Sequence, residues 1–327
     1  LTTLAIIGTG IVGRSLLYNL HLIPKKFDQI TLFSSDELAF PCTKHSTAVV
    51  ALRGVTKGHS PLGDLLVEGF QEFSRHINHD KPDGVWISSQ LTAATTNYDV
   101  FKLRFPQASW VRSFFRSEVL LAQEEAFLID PVLYGDWLLN SSGKLGFSIE
   151  NDFVTEIERI DGFNIKTLNG KIFKFDKIVF AGGNLNRFWK SLLPESSLET
   201  SRPVPGSYLE FNQVELPINS FSLTLDWANL IWNQNRKQIL VGSTTSESNL
   251  ILPDAQKLLT LYEHLSQSLD LRLPDFKEGL VKNGVREKSK KRLPYLICDK
   301  NLHFVGGLYK NGFSLSLSLT RKLALTL

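Results

Sequence analysis

Two cysteines in 327 residues, Cys42 and Cys298, form no CxxC pair and are too few for a disulfide framework or a cysteine-rich zinc site. Both are expected to be ordinary buried thiols. Methionine is absent altogether, even at residue 1, so motif spacings are read with a tolerance of one residue. No apolar run approaches the roughly 18–20 residues that span a bilayer, so no membrane partner is expected. Neither charge dominates: 36 Lys and Arg face 33 Asp and Glu, and a net charge of +3 does not by itself mark a nucleic-acid binder. Residue 1 runs straight into an apolar strand pattern, which leaves no secretory leader in this stretch, and a cytoplasmic protein is expected. No internal repeat, Ser-His-Asp set, paired carboxylates or metal-ligand spacing stands out.

What is present is a chain 43% apolar, long enough for two intimately joined domains. It opens with "TLAIIG", which reads as a buried parallel strand, then "IVGRSLLYNLHLI" as a helix and "QITLFSS" as a second strand. This βαβ unit carries Gly8-Thr-Gly10-Ile11-Val12-Gly13 between strand and helix. A GxGxxG is a weak signal alone and a much stronger one in this context. Gly8 permits the tight turn, Gly10 lets the backbone close on a pyrophosphate, and Gly13 lets helix and strand approach. The phosphates would then meet the unpaired N–H groups and the dipole of the helix start. The usual ribose-binding acid is missing after the second strand. Phe33 is followed by Ser34, a candidate donor to a ribose hydroxyl, with Asp36 a late substitute. No arginine stands there to suit the 2′-phosphate of NADP. NAD and FAD both remain open at this point.

Further along, residues 60–77, 130–142 and 254–271 have helical apolar spacing, and 84–94 reads as a strand. Alternating strand patterns fill 153–180 and 202–245, and the tail reads as a buried strand, a glycine turn and a final helix. The fold class expected is α/β: a Rossmann-like nucleotide domain with an inserted antiparallel-sheet α+β substrate domain. Residues 1–80, 128–200 and 283–327 are assigned to the first, and 81–127 and 201–282 to the second. Trp227, Trp232 and Tyr208 lie on substrate-domain strands, where core packing is their expected task. His303 falls in a predicted buried strand and is expected to be structural.

In this order the segments resemble the D-amino-acid oxidase/glycine oxidase family of FAD enzymes, over nearly the whole chain. "KHSTAVVALRG" is similar to the hydroxyl-bearing segment around the pyrophosphate, which nominates Ser46 and Thr47 and brings His45 near the flavin. "FLIDPVLYGDWLL" and "RPVPGSYLEF" resemble two further family segments. "FDKIVFAGGNLNRFW" resembles the second glycine motif, with Ala181, Gly182 and Gly183. "GVREKSKKRLPYL" resembles the family's G-x-R…P segment. "VGGLYKNGFSLS" resembles its C-terminal turn beneath the flavin, nominating Gly307, Leu308, Lys310, Asn311, Gly312 and Phe313. With Gly8, Gly10, Ile11, Val12, Gly13, Phe33, Ser34 and Val154, these are the expected contacts of a non-covalent FAD.

The resemblance implies oxidation of a C–N bond in an amine or amino acid, with hydride passing to the flavin and the imine then hydrolysed. Arg286, the arginine of G-x-R, is implied to pair with a substrate carboxylate through its planar fork. Lys310 stands where the family often has a second arginine. Arg286, Lys310 and His45 are thus the candidate catalytic residues, and no metal is expected. The basic run "KNGVREKSKKR" (282–292) is ordinarily a solvated face. The segment from Arg286 to Tyr295, R-x-x-x-x-x-R-L-P-Y, also resembles the oxidase domain of the bifunctional enzyme that completes a tRNA wobble uridine, so tRNA is an alternative substrate. A flavin-binding subunit without chemistry is a third reading. Oligomeric state is not legible.

Overall fold

The computed structural model describes residues 2–24, 26–34, 41–193, 201–246 and 253–327. The opening apolar run forms the strand Thr3–Ile7 inside a six-stranded sheet. The strand order there is Tyr295–Asp299, Leu302–Gly306, Lys177–Phe180, Thr3–Ile7, Gln29–Phe33, Phe147–Glu150. All neighbours are parallel except the first pair. Such strands read as continuous apolar runs because both sheet faces are covered. Side chains alternate between the two covers. Leu4 and Ile6 pack with Leu16 and Leu17 of the helix Ile11–His21 and with Leu315, Leu319 and Leu323 of the C-terminal helix Gly312–Thr326. Ala5, Ile178 and Phe180 face Phe163, Ile165 and Phe175 of a separate three-stranded antiparallel sheet. Burying an aromatic or branched side chain of this kind contributes roughly 1.5–3 kcal/mol. Among the described residues no helix is long and apolar enough to cross a membrane.

His303 is buried in the strand Leu302–Gly306, and neither ring nitrogen has a partner among the described residues. Burial, with Lys177 adding to it, moves its pKa down to about 4. The unfolded chain, with a histidine pKa near 6.5, therefore binds the extra proton first. Stability from this residue is lost as pH falls through the interval between those values, by on the order of 3 kcal/mol in full. His303→Leu is expected to narrow the difference in urea midpoint between about pH 7 and about pH 4.5. An unchanged difference would show that other groups govern the acid sensitivity.

The second large sheet has nine strands. Its order is Leu280–Ser289, Ser201–Phe211, Gln238–Gly242, Ala228–Asn233, Phe221–Leu225, Val85–Ala94, Val119–Ile129, Val49–Ala51, with Ser109–Val111 also pairing Val119–Ile129. The expected antiparallel character holds except where Phe221–Leu225 runs parallel to Val85–Ala94. Leu258, Leu261 and Leu265 of the helix Ala255–Ser268 cover one face, against Leu223, Leu230, Trp232 and Val241. Trp232 is a core residue whose indole N–H donates to the Ile218 carbonyl at 2.8 Å, whereas Trp227 is exposed and stacks on His264. Sheet membership departs from the expected bounds at three places: Val49–Ala51, assigned to the nucleotide domain, pairs into this sheet, and the strands Val119–Ile129 and Leu280–Ser289 run across the 127/128 and 282/283 divisions. The basic run is mostly that strand. Its buried Gly284, Val285, Glu287 and Ser289 are interleaved with Lys282, Arg286 and Lys288, and the charges conceal the strand pattern.

Candidate active site

A cavity of about 360 Å³ lies at the carboxyl ends of the parallel strands, where open α/β sheets place ligands. Three glycine stretches line it: Gly8–Gly10, Ala181–Gly183 and Gly306–Gly307, with Gly312 beyond. Gly8 has φ +116°, and a Cβ there would stand 2.6 Å from the Ala181 carbonyl oxygen. Gly13 does not reach the cavity. It lets the first helix press on the loop, since its Cβ would lie 2.0 Å from the Gly8 carbonyl oxygen. Ile11 and Val12 line the wall at the helix start.

The hydroxyl that serves this helix start is Thr43: its Oγ1 accepts from the Ile11 N–H at 3.0 Å. Ser46 and Thr47 instead line a second cavity of about 290 Å³, together with His45. The turn through residues 42–45 brings Thr43, not the later hydroxyls, to the first helix. Arg14, Lys44 and Arg187 add positive charge to the main wall. Arg14 is fixed by its Nε donating to the Thr9 carbonyl at 2.8 Å and by Asp136 at 2.8 Å. A side pocket of about 30 Å³ adjoins through Gly8, Gly182 and Leu185. Phe33, Ser34 and Val154 line it, and Ser34 accepts from the Thr9 hydroxyl at 2.9 Å. Asp36 lies outside the described residues.

A hydrogen-bond bracket joins the second and third glycine stretches. The Gly182 N–H donates to Asn186 Oδ1 at 2.8 Å, and Asn186 Nδ2 donates to the Val305 carbonyl and to the Tyr295 oxygen at 3.0 and 3.1 Å. The Tyr295 hydroxyl donates to Glu287 at 2.7 Å, the Ser201 hydroxyl at 2.8 Å and the Gly307 N–H at 2.9 Å. Burial raises the Glu287 pKa, and these donors oppose the rise.

Arg286 stands on the cavity wall, its Nη2 donating to the Thr244 carbonyl at 2.7 Å beside the side-chain-free Gly206. The adjoining turn docks on the same strand through the Tyr309 N–H, which donates to the Glu287 carbonyl at 3.1 Å. Lys310 extends from that turn with its Nζ 5.6 Å from the Tyr309 ring centre. Partial burial, then repulsion by Arg286, Arg53, Arg292 and Lys288, lowers its pKa. Arg286 and Lys310 are therefore neighbours across Tyr309. His45 is elsewhere: its Nδ1–H donates to the Asn283 carbonyl at 2.6 Å, and it lines the second cavity, not the first. Asn311 precedes the final helix, its N–H held by the Leu308 carbonyl, and Phe313 is buried in the core behind the cavity. Cys42 is on the main wall, with its thiol pKa raised by burial, while Cys298, expected to be buried, is exposed because its strand lies at the sheet edge. Among the described residues no group of three metal-ligating side chains is assembled.

The family model described as FAD-dependent oxidoreductase, DAO, matches residues 3–324. The chain belongs to the DAO family. Solved structures similar to this DAO chain include the glycine oxidase of Geobacillus kaustophilus, at 16% identity and TM-score 0.79, covering 100% of this chain and 95% of that one. Another is the iminodiacetate oxidase of Chelativorans sp. BNC1, at 14% and 0.78, covering 98% and 94%. A third is the L-α-glycerophosphate oxidase of Mycoplasma pneumoniae with FAD bound, at 16% and 0.77, covering 100% and 96%. At such identities they share its fold. A search of curated proteins finds no significant match.

FAD is the cofactor of this family, and the residues present fit it. The glycine-lined floor admits backbone-close approach, and cations surround the first helix start. Asn184 Oδ1, buried on the cavity wall with no partner among the described residues, awaits a hydroxyl donor such as FAD carries. Sequence reading missed Thr43, Asn184, Asn186, Glu287 and Tyr309. Thr43 stood one residue before the quoted segment. Glu287 and Asn186 had no signal, because their partners lie far away in the chain.

Proposed function

We propose that this FAD-dependent oxidoreductase oxidises the C–N bond of an amine or amino acid that carries a carboxylate. The observation that carries the proposal is Arg286 on the wall of the FAD cavity, with Lys310 beside the same Tyr309 ring. Bound FAD supplies a two-electron acceptor. Arg286 holds the substrate carboxylate by parallel N–H donors, so that the carbon bearing nitrogen faces the cofactor. The enclosing walls exclude water from that carbon. An amine that arrives neutral releases its hydride without a protein base, and the imine formed is hydrolysed to a carbonyl compound and ammonia or a smaller amine. The cavity wall accordingly needs no strong acid or base, and His45 on the other cavity is not required.

The tRNA reading rests on Lys290, Lys291 and Arg292, which are exposed on the turn after the strand. Arg286 is on the cavity wall and Lys288 stands beside Tyr309, which favours a small substrate. Replacing Arg286 with alanine is expected to raise KM for carboxylate-bearing amines tenfold or more, about 1.5–3 kcal/mol for a charged hydrogen-bonded pair. Amines without a carboxylate should be little affected. An unaltered KM for both classes would remove Arg286 from the site.

A further inference from the structure

The turn through residues 42–45 stands between the FAD cavity and the second cavity of about 290 Å³. It sits on the strand Leu280–Ser289 at Gly284, where a Cβ would lie 3.1 Å from Cys42 Cα and 3.3 Å from the His45 carbonyl oxygen. The bond from His45 to the Asn283 carbonyl pins it there. Arg286 accordingly lines the first cavity and Lys282 the second, while exposed Lys44 lines both. Residues 45–48 and 128–132 form one wall of the second cavity. The opposite wall is one face of the nine-stranded sheet. Lys282 stands opposite Tyr208 there, Glu210 opposite Leu240, and Leu240 opposite Ile231. Alternate residues of a strand share a face, so these five side chains project together. Leu209, Leu230 and Val241 project from the other face, against the helix Ala255–Ser268.

Two opposite charges and one hydroxyl on this face have bonding capacity to spare. Lys282, half-buried, makes no hydrogen bond or ion pair among the described residues. Glu210, also half-buried, accepts there only from Asn212 Nδ2, at 3.1 Å. The two are diagonal neighbours across a strand pair, about 7–8 Å apart at their bases, and they do not close on each other. Tyr208 neighbours both. It is 5% exposed, and its hydroxyl has no hydrogen-bond partner among the described residues. Burial, then the charge of Glu210, raises its pKa, so the hydroxyl keeps its proton and is a donor. A buried hydroxyl ordinarily has a partner. The remaining charged pair of the cavity is already satisfied. Arg236 closes on Asp130, which also accepts from the Val132 and Leu133 N–H groups.

We propose that the second cavity binds a small zwitterion of the amino-acid class, with its carboxylate on Lys282 and Tyr208, its ammonium on Glu210 and its apolar part against Ile231 and Leu240. The site is separate from the flavin chemistry and does not rest on the oxidase reading. A simple anion would pair with Lys282 but leave Glu210 desolvated and uncompensated. A simple cation would do the same to Lys282. A ligand carrying both signs on adjacent atoms meets both groups at once, through charge-assisted hydrogen bonds, and gives the Tyr208 hydroxyl its acceptor.

The test is calorimetric titration of FAD-loaded Arg286→Ala protein, in which carboxylate binding at the FAD cavity is weakened. The probe is 1-aminocyclopentane-1-carboxylate, a zwitterion with no hydrogen on its amine carbon and so not oxidised there. It is expected to bind roughly tenfold or more tightly than cyclopentanecarboxylate, which is only an anion, or cyclopentylamine, which is only a cation. Adding Glu210→Gln or Lys282→Gln should each abolish that preference, and Tyr208→Phe should weaken zwitterion binding severalfold. Far-ultraviolet circular dichroism checks that each variant folds. No binding in the Arg286→Ala protein overturns the proposal. So does equal affinity for the zwitterion and either singly charged analogue, or binding that all three cavity variants leave unchanged. Anaerobic mixing of the wild-type protein with glycine tests the oxidase reading apart from this one. Zwitterion binding without flavin bleaching upholds the second site and counts against amine oxidation; bleaching without that binding does the reverse.

Discussion

Gly13→Val is expected to give protein that purifies without flavin. The physical reason is local and severe. Even the first carbon of a side chain at residue 13 would lie 2.0 Å from the Gly8 carbonyl oxygen, a backbone atom that cannot rotate away. The helix Ile11–His21 must then move off the loop by about an ångström or more to restore ordinary contact. Its start would carry Ile11 and Val12 out of register with the rest of the cavity wall, and the Thr43 hydroxyl would lose its bond to the Ile11 N–H. Gly143→Ala is the control. There an added Cβ meets nothing within 4 Å and the residue does not line the cavity, so flavin should be retained. The ratio of flavin to protein absorbance, with far-ultraviolet circular dichroism to check folding, reads both variants. Full flavin content in a folded Gly13→Val protein would contradict this assignment of the fingerprint.

Glu287→Leu is expected to lose roughly 3–5 kcal/mol of stability, and most of its flavin with it. The variant leaves the Ser201 hydroxyl, the Tyr295 hydroxyl and the Gly307 N–H without their acceptor inside the protein. Gly307 belongs to the cavity floor, and Tyr295 is the link to Asn186 and hence to Gly182 on the opposite stretch. Breaking the centre of the bracket therefore loosens two of the three glycine walls together. Glu287→Gln keeps one acceptor and should fall between leucine and wild type. A pH effect of defined sign follows as well. Burial raises the carboxyl pKa in the folded protein, so this group favours the fold at low pH and ceases to do so as pH rises through its folded value. Glu287→Gln should remove that component. Urea midpoints across pH, alongside flavin content, measure both effects. A leucine variant as stable and as flavin-rich as wild type would mean that the bracket does not support the cavity.

The contrast between these two sites shows how far the chain was legible. Gly13 declared itself because a close helix–strand approach needs glycine at a short, fixed spacing, all within one βαβ unit. The Ala181–Gly183 stretch and the turn at Gly312 were legible for the same reason: backbone proximity to a ligand is encoded locally. Glu287 was invisible because its meaning depends on Ser201, Tyr295 and Gly307, gathered only by the tertiary fold. The strand around it was hidden too, since Lys282, Arg286 and Lys288 made a buried strand look like a solvated basic run. Thr43 at the first helix went unnamed because the turn before Val49 cannot be read from hydrophobic pattern. Val154 and Ser34, both expected FAD contacts, line the same side pocket although 120 residues separate them.

The measurement that bears most directly on the account is anaerobic mixing of the FAD-loaded protein with a panel of carboxylate-bearing amines and, separately, of hydroxy acids and glycerol phosphate. The account predicts that an amine bleaches the flavin band and yields a carbonyl compound in proportion to the flavin reduced, more slowly in Arg286→Ala. Bleaching by an alcohol and by no amine would contradict it.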